Sequence, residues 1–175
     1  MADVILRSTN VEAGAHRADV PNFELIELLF FAYRDFVSEA DEVLERFGFG
    51  RAHHRVLHFV SRNPDLKVAE LLNILKITKQ SLGRVLRELV DQGFIEASEG
   101  SSDRRQRLLR ATPKGEELAL ELSIAQSRRI KRALEASGPG THEAAAKFLA
   151  AMINPEDSGD VAKLVRSPSM TGRRR

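Results

Sequence analysis

From Phe23 onward, apolar side chains recur at spacings of mostly three or four: Phe23, Ile26, Leu29, Phe30, Tyr33, Val37, Val43, Leu44 and Phe47. That is the period of an amphipathic helix. Asn22 is placed to cap it and Gly48 to end it, so one long helix is predicted over 22–47. Phe30, Phe31, Tyr33 and Phe36 spread around most of its circumference. A lone helix cannot bury them, so either other elements of the chain or a second subunit must pack around it.

The pattern continues as short helices. Val56, Leu57, Phe59 and Val60 line one side of 51–62, which Asn63-Pro64 ends, and Val68, Leu71, Leu72 and Leu75 line 67–75. Only Lys76 and Ile77 precede the next cap, Thr78. A helix over 79–92 then carries Leu82, Val85, Leu86, Leu89 and Val90 in one stripe and stops at Gly93. The period changes over 94–98, turn residues follow at 99–103, and 105–111 is extended again, which predicts a hairpin with a charged tip. Thr112 and Pro113 start a fifth helix that reaches about Ala136, Ser137-Gly138-Pro139-Gly140 breaks it, and a sixth runs from Thr141 to about Ile153. Residues 1–21 read as a flexible arm and 154–175 as a flexible basic tail. The expected fold is therefore mainly α with a small β-hairpin.

Composition narrows the chemistry. The chain has 175 residues, 42% of them hydrophobic and 30% charged, which suits one domain with a real core. It has no cysteine, so disulfides, thiolate metal sites and thiol catalysis are excluded. Its apolar runs are far shorter than the roughly 20 residues that cross a bilayer and no export signal is evident, so a cytoplasmic protein with no membrane partner is expected. The net charge of +2 conceals an uneven distribution. Residues 1–50 carry 4 basic and 10 acidic side chains, whereas 51–110 carry 12 and 7. A basic middle points to a polyanion partner.

The order short helix, tight turn, amphipathic helix, glycine, charged hairpin is that of a winged helix-turn-helix. With the leucine stripe of 79–92 turned inward, Gln80, Arg84 and Arg87 point directly away, flanked by Lys79, Ser81 and Gly83. Glutamine can pair with an adenine edge, arginine can fork onto guanine or grip phosphate, and the helix N-terminus at Thr78 offers free N–H groups. Gly83 costs about 1 kcal/mol of helix propensity relative to alanine, a cost explained equally by close approach to DNA or by helix packing. Arg104 and Arg105 at the hairpin tip are suited to a narrow minor groove, with Asp103 able to hold one of them extended.

The stretches Phe49-Gly-Arg-Ala-His-His-Arg-Val-Leu, Val68-Ala-Glu-Leu-Leu, Ile77-Thr-Lys-Gln-Ser-Leu-Gly-Arg-Val-Leu, Leu89-Val-Asp-Gln-Gly-Phe-Ile and Asp103-Arg-Arg-Gln-Arg-Leu-Leu-Arg-Ala-Thr-Pro-Lys-Gly resemble the MarR family of transcriptional regulators, nearest its PetP-type members. Asp103, Arg105, Leu109, Thr112 and Gly115 are the most specific part of the likeness. The resemblance covers about 22–153 and implies a homodimer on double-stranded DNA with a pseudopalindromic operator. Helices 22–47 and 113–153 would form the dimer lobe and 51–112 the winged helix-turn-helix. Thr78, Lys79, Gln80, Ser81 and Arg84 map onto the recognition helix, and Arg105 onto a minor-groove arginine held by Asp103. Gly83 departs from the family, whose members often carry a small polar residue there. The family habit also implies a small acidic or phenolic effector in the cleft between the lobes, for which Tyr33, Arg34, His54 and Arg55 are candidate lining residues.

Three rival readings compete with this. His53, His54 and His58 invite a metal, because His54 and His58 are spaced i, i+4 on a helix, but zinc would need at least one more ligand beside that pair and no zinc motif occurs, so no metal and no cofactor are assigned. Gly48-Phe49-Gly50 is no phosphate loop and no catalytic serine motif occurs, so no enzyme is expected. The closer rival is a winged-helix adaptor that binds an acidic protein. An outward face of Lys79, Gln80, Arg84 and Arg87 without an apolar anchor fits nucleic acid better.

Overall fold

The computed structural model describes residues 21–100 and 106–166. The elements run α1 (Phe23–Glu45), α2 (Arg51–Arg62), β1 (Leu66–Lys67), α3 (Val68–Leu75), α4 (Lys79–Asp91), β2 (Ile95–Glu99), β3 (Arg107–Ala111), α5 (Pro113–Ser137), α6 (Thr141–Ala151) and α7 (Pro155–Val165). The first six helices stand where the periodicity puts them, and their caps show why. Asn22 accepts the Leu25 N–H at 3.1 Å, Thr78 that of Ser81 at 3.1 Å and Thr112 that of Gly115 at 3.1 Å. Gly48 and Gly93 take positive φ at +68° and +74°, ending α1 and α4 in a conformation other residues resist.

Two elements differ from expectation. The two residues of β1 pair with β3, giving an antiparallel sheet in the order β1-β3-β2 instead of a bare hairpin. Asp65, at φ +68°, extends that pairing: its N–H donates to Leu109, and its carboxylate takes both Nε and Nη2 of Arg110, at 2.8 and 2.6 Å. The Arg110 hydrogen bonds hold the Asp65 carboxyl below its ordinary pKa. Residues 155–165, read from sequence as part of a polar tail, form α7. Pro155 opens it, Glu156 and Asp157 occupy its positive first turn and Lys163 its last turn. Asp157 meets Lys76 at 3.0 Å, and Val161 and Leu164 close a cavity of about 390 Å³ against Phe59 and Ile74.

The core is built from the inward stripes of α1 (its C-terminal half), α2, α3 and α4, the inner sheet residues Ile95 and Leu109, and the first turns of α5. Phe47, Phe49 and Phe94 meet at ring separations of 5.2 to 6.1 Å beneath the α4–β2 junction. The Thr112 to Gly115 segment locks that junction. The Thr112 hydroxyl donates to the Gly93 carbonyl at 2.7 Å, and its N–H donates to that of Phe94 at 3.1 Å. Lys114 reaches the Gln92 carbonyl at 2.9 Å. A Cβ on Gly115 would collide with the Phe94 carbonyl oxygen, which is backbone and cannot swing aside. Gly115→Ala is therefore expected to destabilise the fold by about 2–3 kcal/mol. A urea melt checks it, and an unchanged midpoint would contradict this account of the joint.

Burial within one chain stops partway along α1. Val37, Ala40 and Leu44 are buried, but Phe30 is 68% exposed, Phe31 54% and Tyr33 55%, and Phe36 is half-buried. Of the two covers the sequence left open, the chain's own described elements leave the aromatic half of α1 uncovered. Exposed Ile130 on α5, Phe148 and Leu149 on α6, and Met152 at the C-cap of α6 add to the apolar surface. Lower down, α1 and α5 are joined by Glu39, which takes Arg129 at 2.7 Å and Arg132 at 3.3 Å, and by Arg46 with Glu121 at 2.6 Å. Among the described residues, no helix is long and apolar enough to cross a membrane.

Candidate nucleic-acid interface

Leu82, Val85 and Leu89 are buried and fix which way α4 faces. Thr78, Lys79, Gln80, Ser81, Gly83, Arg84 and Arg87 are all exposed, as the 100° spacing requires. Val90 departs from the inward stripe and is 38% exposed, near the end of α4. Glu88 is held by His53, whose Nε2 lies 2.6 Å from the carboxylate. His53 Nδ1 accepts the Gly50 N–H at 3.1 Å, so Nε2 carries the proton it shares with Glu88. This bond fixes α4 to the start of α2.

The cations on the outer face are uncommitted. Among the described residues, Lys79, Arg84 and Arg87 enter no ion pair and their side chains make no hydrogen bond. Ser81 and Thr78 are partly engaged: the Thr78 hydroxyl donates to Ser81 Oγ at 2.9 Å while accepting the Ser81 N–H. The Ser81 hydroxyl keeps its own proton to donate, and the N–H groups of Lys79 and Gln80 precede the first intrahelical bond. Gln80, Ser81, Gly83, Arg84 and Arg87 line one open hollow. A second hollow lies between α4 and the sheet, with Lys79, Arg87 and Arg107 among its lining residues and Val68, Leu86 and Val90 supplying apolar wall.

Arg107 was not singled out in the sequence. It stands on β3 opposite Glu99, exposed and without an ion pair among the described residues, and adds a cation to the side of the α4 surface. The available signal was the alternation of Arg105, Arg107 and, three residues on, Arg110. Arg110 itself is taken by Asp65. The hairpin closes with the Gly100 N–H on the Gln106 carbonyl at 2.9 Å. Asp103, Arg104 and Arg105 lie outside the described residues.

The four residues assigned to an effector cleft are spread over α1 and α2. Tyr33 and Arg34 sit on the exposed half of α1, where Arg34 donates to Asp35 at 2.8 Å and stands 5.0 Å from the centre of the Phe31 ring. Arg55 is exposed on α2, and His54 is half-buried there. Burial lowers the pKa of His54 against the opposing pull of Asp41. None of the four lines the three hollows described above. Among the described residues, no group of three or more histidine, aspartate or glutamate side chains is gathered to hold a metal.

His58 faces the α7 cavity with its ring edge-on to Phe59 at 5.2 Å. Burial, then Arg62 and His54, lowers its pKa from 6.5 to about 4. The unfolded chain takes up a proton between those values that the folded chain refuses. Its contribution to stability is therefore complete above about pH 6.5 and is lost as the pH falls toward 4. His58→Leu is expected to remove on the order of 1–2 kcal/mol of that dependence, discounted for partial exposure. Urea melts at neutral and acid pH check this; an unaltered slope would contradict it.

A model of the MarR family matches residues 47–106. The HTH-type transcriptional regulator PetP of Rhodobacter capsulatus is 46% identical over 130 residues, spanning 74% of this chain and 78% of that protein. The crystal structure of MarR superposes with a TM-score of 0.63 at 22% identity, covering 83% of this chain and 96% of the other. That of NadR in complex with 4-hydroxyphenylacetate gives 0.61 at 23% identity, covering 75% and 90%.

Proposed function

This chain belongs to the MarR family of transcriptional regulators, and from that premise we propose that it acts as a homodimer that binds a pseudopalindromic operator in double-stranded DNA. In this reading α4 lies in the major groove, and the hairpin of β2 and β3 brings Arg104 and Arg105 to the minor groove, with Asp103 steadying one of them. Gln80 and Arg84 read base edges, while Lys79, Ser81, Arg87 and the N–H groups at Thr78 hold phosphates.

The observation that carries the proposal is the outer face of α4. Three exposed cations and a glutamine stand on it without partners among the described residues, opposite the buried Leu82, Val85 and Leu89. A folded protein gains no stability from leaving arginines so placed, whereas a polyanion supplies what they lack. An adaptor for an acidic protein is less well supported, because the centre of this face offers no aromatic or aliphatic anchor. The dimer is supported by the uncovered aromatic half of α1 and the apolar side chains of α5 and α6. Modulation by a small ligand enters from the NadR neighbour, which holds 4-hydroxyphenylacetate. Tyr33, Arg34, His54 and Arg55 are the positions at which to look for such a site in the dimer.

Selection of tight-binding duplexes from a random pool, followed by titration against salt, tests the proposal. The expected outcome is enrichment of an inverted repeat with half-sites about one helical turn apart. With on the order of ten phosphates neutralised, log affinity falls with log salt at a slope near −9. Equal affinity for selected and random duplexes would contradict the proposal.

A further inference from the structure

Gly83 stands in the middle of α4, where glycine is among the poorest helix formers. Nothing among the described residues gives a reason for it. Its φ is not in the left-handed region, so its backbone conformation does not require glycine. A Cβ built on it meets nothing within 4 Å, so no neighbouring element needs the space. Of the two explanations open in the sequence, packing against the described elements of the chain is thereby removed. Gly83 and Arg87 both line the two hollows on the outer face, the one around Gln80 and Arg84 and the one beside Arg107, and Gly83 is the bare part of the saddle between them.

The chemistry of that saddle narrows what can lie on it. The Gly83 N–H belongs to the helix interior, where it is bonded to the carbonyl four residues back, and its carbonyl is bonded in the same way. The spot therefore presents Cα and its hydrogens, with no donor or acceptor to spare. A phosphate or a polar base edge pressed against it would lose hydrogen bonds to water and gain none. Among the groups exposed in the major groove, the C5-methyl of thymine is the bulkiest that needs no hydrogen-bond partner, cytosine presenting only a C5–H.

We infer that Gly83 is a specificity-determining position that receives a thymine methyl group against the bare backbone of α4, between bases or phosphates engaged by Gln80, Arg84 and Arg87. The inference rests on the operator-binding reading above. An alanine at 83 would put its own methyl where that of the base lies, so the two methyl groups exclude one another.

The test uses the full chain and a duplex selected by the wild-type protein, in which symmetric thymine pairs are replaced one at a time by deoxyuridine, removing only the methyl. Gly83→Ala is expected to raise the melting temperature by a few degrees through helix propensity while weakening binding to the thymine duplex about tenfold. Deoxyuridine at one symmetric pair is expected to weaken wild-type binding and to restore most of the affinity of Gly83→Ala. Arg84→Ala, as a control, is not rescued by any deoxyuridine. If Gly83→Ala binds the thymine duplex as tightly as wild type, or if no deoxyuridine restores it, the inference fails while the regulator reading stands. A wild-type chain that enriches no sequence overturns both.

Discussion

Arg84→Ala is expected to lower affinity for the selected duplex about thirtyfold or more and to flatten base preference at one symmetric position. A good bidentate contact between a side chain and a base discriminates by roughly 1–3 kcal/mol. A dimer loses two such contacts, so even the low end of the range is about thirtyfold. The fold should not notice the change, since Arg84 is exposed and makes no side-chain hydrogen bond or ion pair among the described residues. Arg105→Ala is expected to weaken binding with less change in sequence preference, because the minor groove distinguishes bases poorly. Binding titrations over a panel of single-base variants separate the two patterns. Wild-type affinity in both variants would refute the assignment of contacts.

The second large effect lies far from α4. Phe30→Asp combined with Phe31→Asp is expected to convert the protein to a folded monomer and to reduce operator affinity by about 10²- to 10⁴-fold, through loss of the linked second half-site. Both rings are more than half exposed in the single chain, so removing them costs the chain's own core little. In a dimer the same substitutions would bury four carboxylates in an apolar interface. Sedimentation at micromolar concentration reads the assembly state, and circular dichroism reads the fold. A double variant that remains dimeric would show that α1 does not form the subunit contact.

How far the sequence carried these conclusions depends on the element. Helices with an inward stripe and a capping residue were legible almost to the residue: α4 follows Thr78, and α5 follows Thr112 with Pro113 as its first residue, because cap and stripe agree. The outward set Lys79, Gln80, Ser81, Arg84 and Arg87 followed from helical geometry alone. Two residues of β1 are too few to show a period, and their pairing with β3 depends on Asp65 and Arg110, 45 positions apart. α7 carries little apolar surface, so its composition resembled a tail, although Pro155, its leading acids and Lys163 were start and stop signals available to be read. Thr112 and Gly115 belonged to a recognisable motif whose meaning needed coordinates. They join α5 to the end of α4 and the start of β2, and so hold the reading helix in place without facing its outer surface.

Methylation of guanine N7 by dimethyl sulfate probes the floor of the major groove, and hence the placement of α4, most directly. On a selected duplex, bound wild-type protein is expected to protect N7 at two symmetric positions about 10 base pairs apart, with the protection lost in Arg84→Ala. Guanines that stay fully reactive throughout the bound half-sites would contradict the placement of this helix in the groove.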